Sequence, residues 1–220
     1  MKKLILIICL FPCLLAKSQT SNMQAIFNGK DLQGWTKYLK SQGVNKDPQN
    51  VITVENEAIH VTGQDFGYIV TDKTYHDFHL SLEFKWGEKK FPPRLKDKRD
   101  AGICFSVDVS NHKIWPRGAE CQIQEGDVGD LWLIDSVTAF VDGIQTEPKD
   151  YAQMPKIRDG ERLNGEWNTV EVVFKKGRFK FLVNGILVNE GEYLSLTSGK
   201  ILLQSEGAEI FYRKVKIQEF

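Results

Sequence analysis

The chain has 220 residues, with 29 Lys or Arg against 29 Asp or Glu, so its formal net charge is zero at pH 7. Without a basic excess it lacks the means to hold a phosphate backbone, which argues against nucleic acid as a partner. Hydrophobic residues make up 41% of the chain, enough to fill the core of one all-β domain.

The first 18 residues read as an export signal: "MKK" is a positive start, and "LILIICLFPCLLA" is an apolar run short of a membrane span. Ala16 and Ser18 then place small residues at the spacing a signal peptidase needs. Cys9 follows Ile8 and Cys13 follows Pro12, a poor fit to a lipoprotein site. Cleavage near Ser18 predicts a periplasmic or secreted protein without a membrane span. Lys2, Lys3 and Lys17 leave with the signal and no acid does, so 26 basic and 29 acidic residues remain, a net charge of −3. Cys104 and Cys121 also remain. Export permits a disulfide, but alternation sets the two on opposite faces of their strands, which predicts free, buried thiols.

Strand signals then follow one another. Residues 51–61, "VITVENEAIHV", form two β-rich runs about a turn at Glu55–Glu57, and "GYIVTD" follows at 67–72. In "FHLSLEFKW" (78–86), Phe78, Leu80, Leu82, Phe84 and Trp86 share one face, and His79, Ser81, Glu83 and Lys85 the other. In 101–109, alternation groups Ile103, Phe105 and Val107 against Gly102, Cys104 and Ser106. In "ECQIQEG" (120–126), apolar Cys121 and Ile123 separate Glu120, Gln122 and Gln124. Runs at 169–174 and 178–183 are joined by Lys175–Gly177, and Asn184-Gly185 between apolar runs is a strong two-residue hairpin signal. Two further strands close the chain. Polar insertions at 36–50, 87–100 and 126–168 interrupt the strands. The expected fold is all-β over residues 19–220, a two-sheet antiparallel sandwich with a concave face open to a ligand.

Several strands repeat one habit on the face away from the core. Lys85 lies there, as do small Gly102 and Cys104, then Glu120, Gln122 and Gln124, and Gln204 with Glu206 from "ILLQSEG". If these strands are neighbours, their side chains form a floor of amides and carboxylates, which suits sugar hydroxyls that both donate and accept. The competing account is an ordinary solvated sheet face.

Loops add Arg99 and Asp100 before one strand, Trp115 and Arg117 at the start of the Glu120 strand, and Asp127, Asp130 and Trp132 after it. Indole faces can stack on sugar rings, although packing beneath a long loop also accounts for Trp115 and Trp132. Glu125, Asp127 and Asp130 offer oxygens to a divalent cation, fewer than a calcium loop needs, so the question of a metal stays open. His76 and His79 point to opposite faces of a strand-like run and make no metal pair. No nucleophile elbow, phosphate loop or zinc-type spacing is present.

The segments "IFNGKDLQGWTKY" (26–38), "EFKWGEKKFPPRLKDKRDAGICF" (83–105), "WPRGAECQIQEGDVGDLWLI" (115–134), "GEWNTVEVVFKKGRFKFLVNGILV" (165–188) and "GKILLQSEGAEIFYRKVKI" (199–217) resemble, in order, the 3-keto-disaccharide hydrolase family. The resemblance implies a jelly roll of the concanavalin A-like lectin and glucanase type, acting on glycosides oxidised at carbon 3. One departure is visible: relatives often carry an aromatic residue and a His after "RDAG", where this chain has Phe105 and Ser106.

A ketone at carbon 3 acidifies the hydrogen on carbon 2, so a base can form the enolate and expel the group on carbon 1. Later addition of water makes the net change hydrolysis. This chemistry needs a base, a group that stabilises the enolate oxygen and an acid for the leaving oxygen. Glu120 is the expected base, with Asp100 as the second candidate. Lys85, Arg99 or a bound divalent cation would stabilise the enolate. Gln122, Gln124 and Gln204 would hold hydroxyls, with Trp115, Arg117 and Asp127 as further substrate contacts. The alternative is a lectin-like module that binds sugar without changing it. An ordinary glucanase ranks behind both, because amides stand where a facing second carboxylate is needed. The sugar, the linkage and the oligomeric state are left open.

Overall fold

The computed structural model describes residues 22–220; the export signal expected over 1–18 lies outside the described residues. Among those described there is no helix, and the strands form two eight-stranded antiparallel sheets and one small hairpin. The backing sheet runs, in spatial order, through Ile186–Gly191, Arg178–Val183, Asn168–Lys175, Phe78–Lys90, Ala208–Glu219, Ala58–Val61 and Ile52–Glu55, with Gln24–Ala25 paired to Ala208–Glu219. The site sheet runs through Tyr151–Met154, Leu131–Ile134, Arg117–Gln122, Gly102–Asp108, Lys200–Ser205, Gly67–Thr71, Trp35–Leu39 and Gly43–Val44. The molecule is a jelly-roll β-sandwich.

Period-two alternation accounts for the core. Phe78, Leu80, Leu82, Phe84 and Trp86 are all buried, while the residues between them are half-buried. The sheets meet through aromatic rings. Phe105 of the site sheet lies 6.2 Å from Phe78, 5.6 Å from Phe174 and 5.9 Å from Phe181 of the backing sheet, centroid to centroid. Burying each such side chain stabilises the fold by roughly 1.5–3 kcal/mol. The hairpin at Asn184-Gly185 forms as expected, with φ of 52° and 80° where only residues tolerant of the left-handed region fit. Cys104 and Cys121 are free and buried, on opposite faces as alternation required.

Three expectations need correction. The stretch 36–50 is not an insertion, because Trp35–Leu39 and Gly43–Val44 form one edge of the site sheet, and the insertion expected at 87–100 starts only after Lys90, where the strand Phe78–Lys90 ends. The stretch 126–168 is not one long insertion, because Leu131–Ile134 and Tyr151–Met154 extend the site sheet to its edge. Each is only four residues long and set among Asp and Gly turns, so its alternation was too short to stand out. Alternation also fails within 101–109. The register slips between Phe105 and Asp108, where Ser106 adopts φ 53°. This bulge moves Val107 onto the face of Cys104, where it packs with Tyr68, Val70 and Leu202.

Candidate functional site

The site grows from one row of paired strands. Glu120 is in register with Cys104 on one side and Trp132 on the other, and Gln122 with Gly102. Residues in register share a face of the sheet, so Glu120, Gln122 and Trp132 stand together above Gly102 and Cys104. Gln204 comes alongside from the next strand and donates through Nε2 to Cys104 Sγ at 3.3 Å. A bare glycine makes the floor low enough: a Cβ on Gly102 would lie 1.8 Å from Glu120 Oε1 and 2.5 Å from Gln204 Oε1.

Above this floor is a recess of about 380 Å³. Arg94, Asp100, Glu120, Gln122 and Glu206 supply its polar lining, and Trp115, Trp132, Ile134 and Tyr151 its walls. Arg94 Nη2 pairs with Asp100 Oδ2 and lies 3.3 Å from Glu206 Oε2. Trp115 Nε1 donates to Glu206 Oε1, and Gln124 Nε2 donates to Asp100 Oδ2 at 3.0 Å. Trp115 and Tyr151 meet edge to face at the exposed mouth, their centroids 6.2 Å apart.

Two carboxyl groups thus pair with one guanidinium, and a third, Glu120, lines the same mostly desolvated recess. Burial pushes Glu206 up to about 7, helped by the charge of Asp100 and opposed by Trp115 and Arg94. Asp100 is also raised by burial, against the pull of Arg94. Glu120 is held well above the usual carboxylate range by burial, then by the charges of Glu206 and Asp100, despite hydrogen bonds from Gln204 and Cys104. Burial thus raises all three carboxyls, Glu206 to about 7.

Of the residues expected from the sequence, Asp100, Glu120, Gln122 and Trp115 line the recess, and Gln204 floors it. Gln124 acts one step back, holding Asp100. Lys85 is a correction: it stands on the backing sheet, over the rings of Trp167 (5.1 Å) and Phe211 (5.3 Å), and cannot reach the recess. Alternation gave the face of Lys85 on its strand correctly but could not tell which sheet that strand joins. Arg99 is occupied by Glu125 and by the carbonyl of Gly87. Asp127 pairs with Lys98 beyond the strand end, and Arg117 lies at the far end of the Glu120 strand, opposite Asp108.

Glu125, Asp127 and Asp130 do not gather around a common point. Glu125 accepts from Arg99 and Asn164, Asp127 from Lys98, and Asp130 from Gln153 and the Lys156 amide. Among the described residues no group of three or more His, Cys, Asp or Glu is placed to hold a metal.

The sequence pattern of the 3-keto-alpha-glucoside-1,2-lyase-like domain family matches residues 22–218. The chain belongs to this family. Its domain is carbohydrate-active and glycosyl hydrolase-like. No curated protein matches the chain in sequence. Among solved structures, a candidate glycosyl hydrolase from Parabacteroides distasonis superposes with a TM-score of 0.64 at 22% identity, covering 90% of this chain and 94% of that one. The β-glucanase of Bacillus licheniformis gives 0.57 at 12% identity, covering 92% and 100%. The carbohydrate binding module CBM66 of Bacillus subtilis gives 0.53 at 12% identity, covering 84% and 96%. At these identities the likeness establishes the shared sandwich fold.

Within this family domain, sequence reasoning missed Arg94, Tyr151 and the place of Trp132 in the wall, and it left Glu206 without a role. The Glu206 signal was present, because it follows Gln204 at the strand period. Arg94 carried none: it lies in the 91–97 turn and reaches the recess only because Gly207 makes way, where a Cβ would sit 2.8 Å from Arg94 Cγ.

Proposed function

We propose that this domain cleaves 3-keto-glycosides by removing the proton on carbon 2, forming a C2–C3 enolate and eliminating the group on carbon 1. The observation that carries this reading is the buried cluster of Asp100, Glu206 and Glu120 in one recess, with Arg94 paired to the first two and burial raising all three carboxyls. Two carboxyl environments, one paired with Arg94 and one flanked by Gln204 and Cys104, can divide the roles of base and acid. The Asp100–Glu206 pair acts as the base and takes the carbon-2 proton. Glu120, neutral at the start, donates its proton to the glycosidic oxygen as the C1–O bond breaks. The enolate electrons return to form the C1–C2 double bond, so the charge balances. Water adding across that bond, with the same two groups in reversed roles, completes a net hydrolysis. The aromatic walls hold the ring and exclude bulk water. The N-terminal signal supports placing this activity in the periplasm or outside the cell.

The test uses a chromogenic 3-keto-glucoside and its unoxidised parent. Aglycone release from the ketone alone is expected, and Glu120→Gln should slow it by about 10²–10⁴-fold, the range for removing a general acid. Sugar binding without release would replace this reading with a lectin-like module. Equal cleavage of both substrates would replace it with an ordinary glycosidase.

A further inference from the structure

Trp115 is oriented against the usual habit of its residue type. A tryptophan ordinarily buries its ring and keeps the N–H near water. Here the ring is 39% exposed at the mouth, edge to face with Tyr151, while Nε1–H points inward and donates to Glu206 Oε1. The Glu206 side chain is only 7% exposed. Packing beneath a loop, the competing account of Trp115, would put the ring inside instead. The residue that walls the mouth is tied by its one polar side-chain atom to a carboxyl in the recess.

That bond completes a clamp. Arg94 Nη2 lies 3.3 Å from Glu206 Oε2 and Trp115 holds Oε1, so each carboxyl oxygen has its own donor. Two donors on two oxygens fix the plane of the carboxyl. Each oxygen of a carboxylate has two lone-pair directions, so one on each stays free to take a proton. The donors are not equal. Arg94 is shared with Asp100, whereas the indole gives its single N–H to Glu206. An indole N–H can only donate, so it holds the ionised carboxyl more strongly than the protonated one.

We propose that Trp115 is a positioning residue for the base: its N–H holds the Glu206 carboxyl ionised and aimed, and so ties the mouth of the recess to proton removal from carbon 2. This rests on the reaction proposed above, in which the Asp100–Glu206 pair takes that proton. The indole transfers no proton of its own. The other titratable or charged groups facing Glu206 are Arg94, Asp100, Glu120, Cys104 and Tyr212. Burial pushes Glu120, Cys104 and Tyr212 upward, and none of them receives the Trp115 N–H. Asp100 shares Arg94 with Glu206, and the two titrate as a pair. Losing the N–H removes a bond that favours the carboxylate, so the pair keeps its proton to higher pH.

The test compares Trp115→Phe, which keeps a ring and removes the N–H, with Tyr151→Leu, which removes the facing ring and leaves the bond. The probe is the chromogenic 3-keto-glucoside. In Trp115→Phe the acid limb of kcat/KM should move to higher pH by about one unit, as for loss of a hydrogen bond to a charged group. That is about a tenfold loss on the acid side, shrinking as pH rises. Tyr151→Leu should raise KM with the limb in place. A Trp115→Phe limb within about 0.3 unit of the parent overturns the inference while leaving the reaction in place. An equal shift in Tyr151→Leu also overturns it, because the effect would then belong to the wall. If the parent chain cleaves no 3-keto-glucoside, the reaction fails, and carbon NMR of the Glu206 carboxyl, assigned through Glu206→Gln, decides the tie to Trp115 by itself. Its midpoint must rise in Trp115→Phe, and an unmoved midpoint overturns the inference. Should Trp115→Phe not fold, one indole N–H of the parent must titrate with that carboxyl and stop doing so in Glu206→Gln. Spectra without such a proton overturn the inference.

Discussion

Gly102 and Glu120 occupy what is nearly one position: a Cβ on the glycine would stand 1.8 Å from the Glu120 carboxyl oxygen. Gly102 is ordinary extended strand, so the requirement is for space and not for backbone freedom. Gly102→Ala should lift the Glu120 carboxyl and the Gln204 amide out of their floor positions. The expected cost is about 1–3 kcal/mol of stability from overpacking. Release of aglycone should fall at least as far as in Glu120→Gln. A folded Gly102→Ala chain with parental kcat would show that the position of Glu120 does not matter to the chemistry.

The same burial that tunes the site should give it a pH signature. Glu206 moves from the ordinary 4.5 to about 7 on folding, so between those values the folded chain holds a proton that the unfolded chain has lost. Stability from this group therefore falls as pH rises across that window and is level above it. Glu206→Gln removes the effect. Thermal unfolding from pH 4.5 to 8 should show the variant gaining on the parent up to about pH 7, with a constant difference beyond. A constant difference throughout would mean that Glu206 titrates as it does in water.

Turnover should follow from the same groups. The Asp100–Glu206 pair must be deprotonated to act, so kcat/KM rises through about pH 7. Glu120 must keep its proton, so the profile falls again on the alkaline side, where that raised carboxyl finally ionises. The expected profile is a bell displaced above the range of free carboxylates. A profile already flat from pH 5 to 8 would exclude this pair as the base.

The sequence revealed the strands and one row of the site well, for a local reason. Glu120 and Gln122 face the recess because pleating puts alternate residues on one side, and that depends only on neighbours in the chain. Gln124 breaks the pattern because the strand ends at Gln122, whose amide turns to the carbonyl of Asp130. Lys85 failed for a different reason. Its strand pairs with residues more than a hundred positions away, among them Phe211, and no local pattern encodes that choice of sheet. Arg94 was hidden because a turn has no period, and its contacts with Asp100 and Glu206 exist only once three distant segments have come together.

Arg94 also pairs with both Asp100 and Glu206, which makes it a stability residue as well as a site residue. Arg94→Met should leave Asp100 and Glu206 facing each other without compensation. The expected loss at pH 8 is on the order of 2–3 kcal/mol, below the roughly 3–5 of a fully buried pair because Arg94 keeps some contact with solvent. At pH 5 Glu206 is protonated and the loss should shrink. Urea unfolding at the two pH values measures both, and equal losses would show that Arg94 stabilises by packing instead of charge.

Lys85 provides the opposite control. Its ammonium lies over Trp167 and Phe211 on the backing sheet, across the core from the recess. Lys85→Met keeps the apolar stem against those rings and removes the charge. The cation–π contacts are worth about 0.5–1 kcal/mol at a site this open, so unfolding should shift by a few degrees at most. Aglycone release should stay within about twofold of the parent, since surface changes away from the site rarely do more. A large loss of turnover in a chain that unfolds normally would mean that the two sheets do not divide the labour as described, with the backing sheet for packing and the site sheet for chemistry.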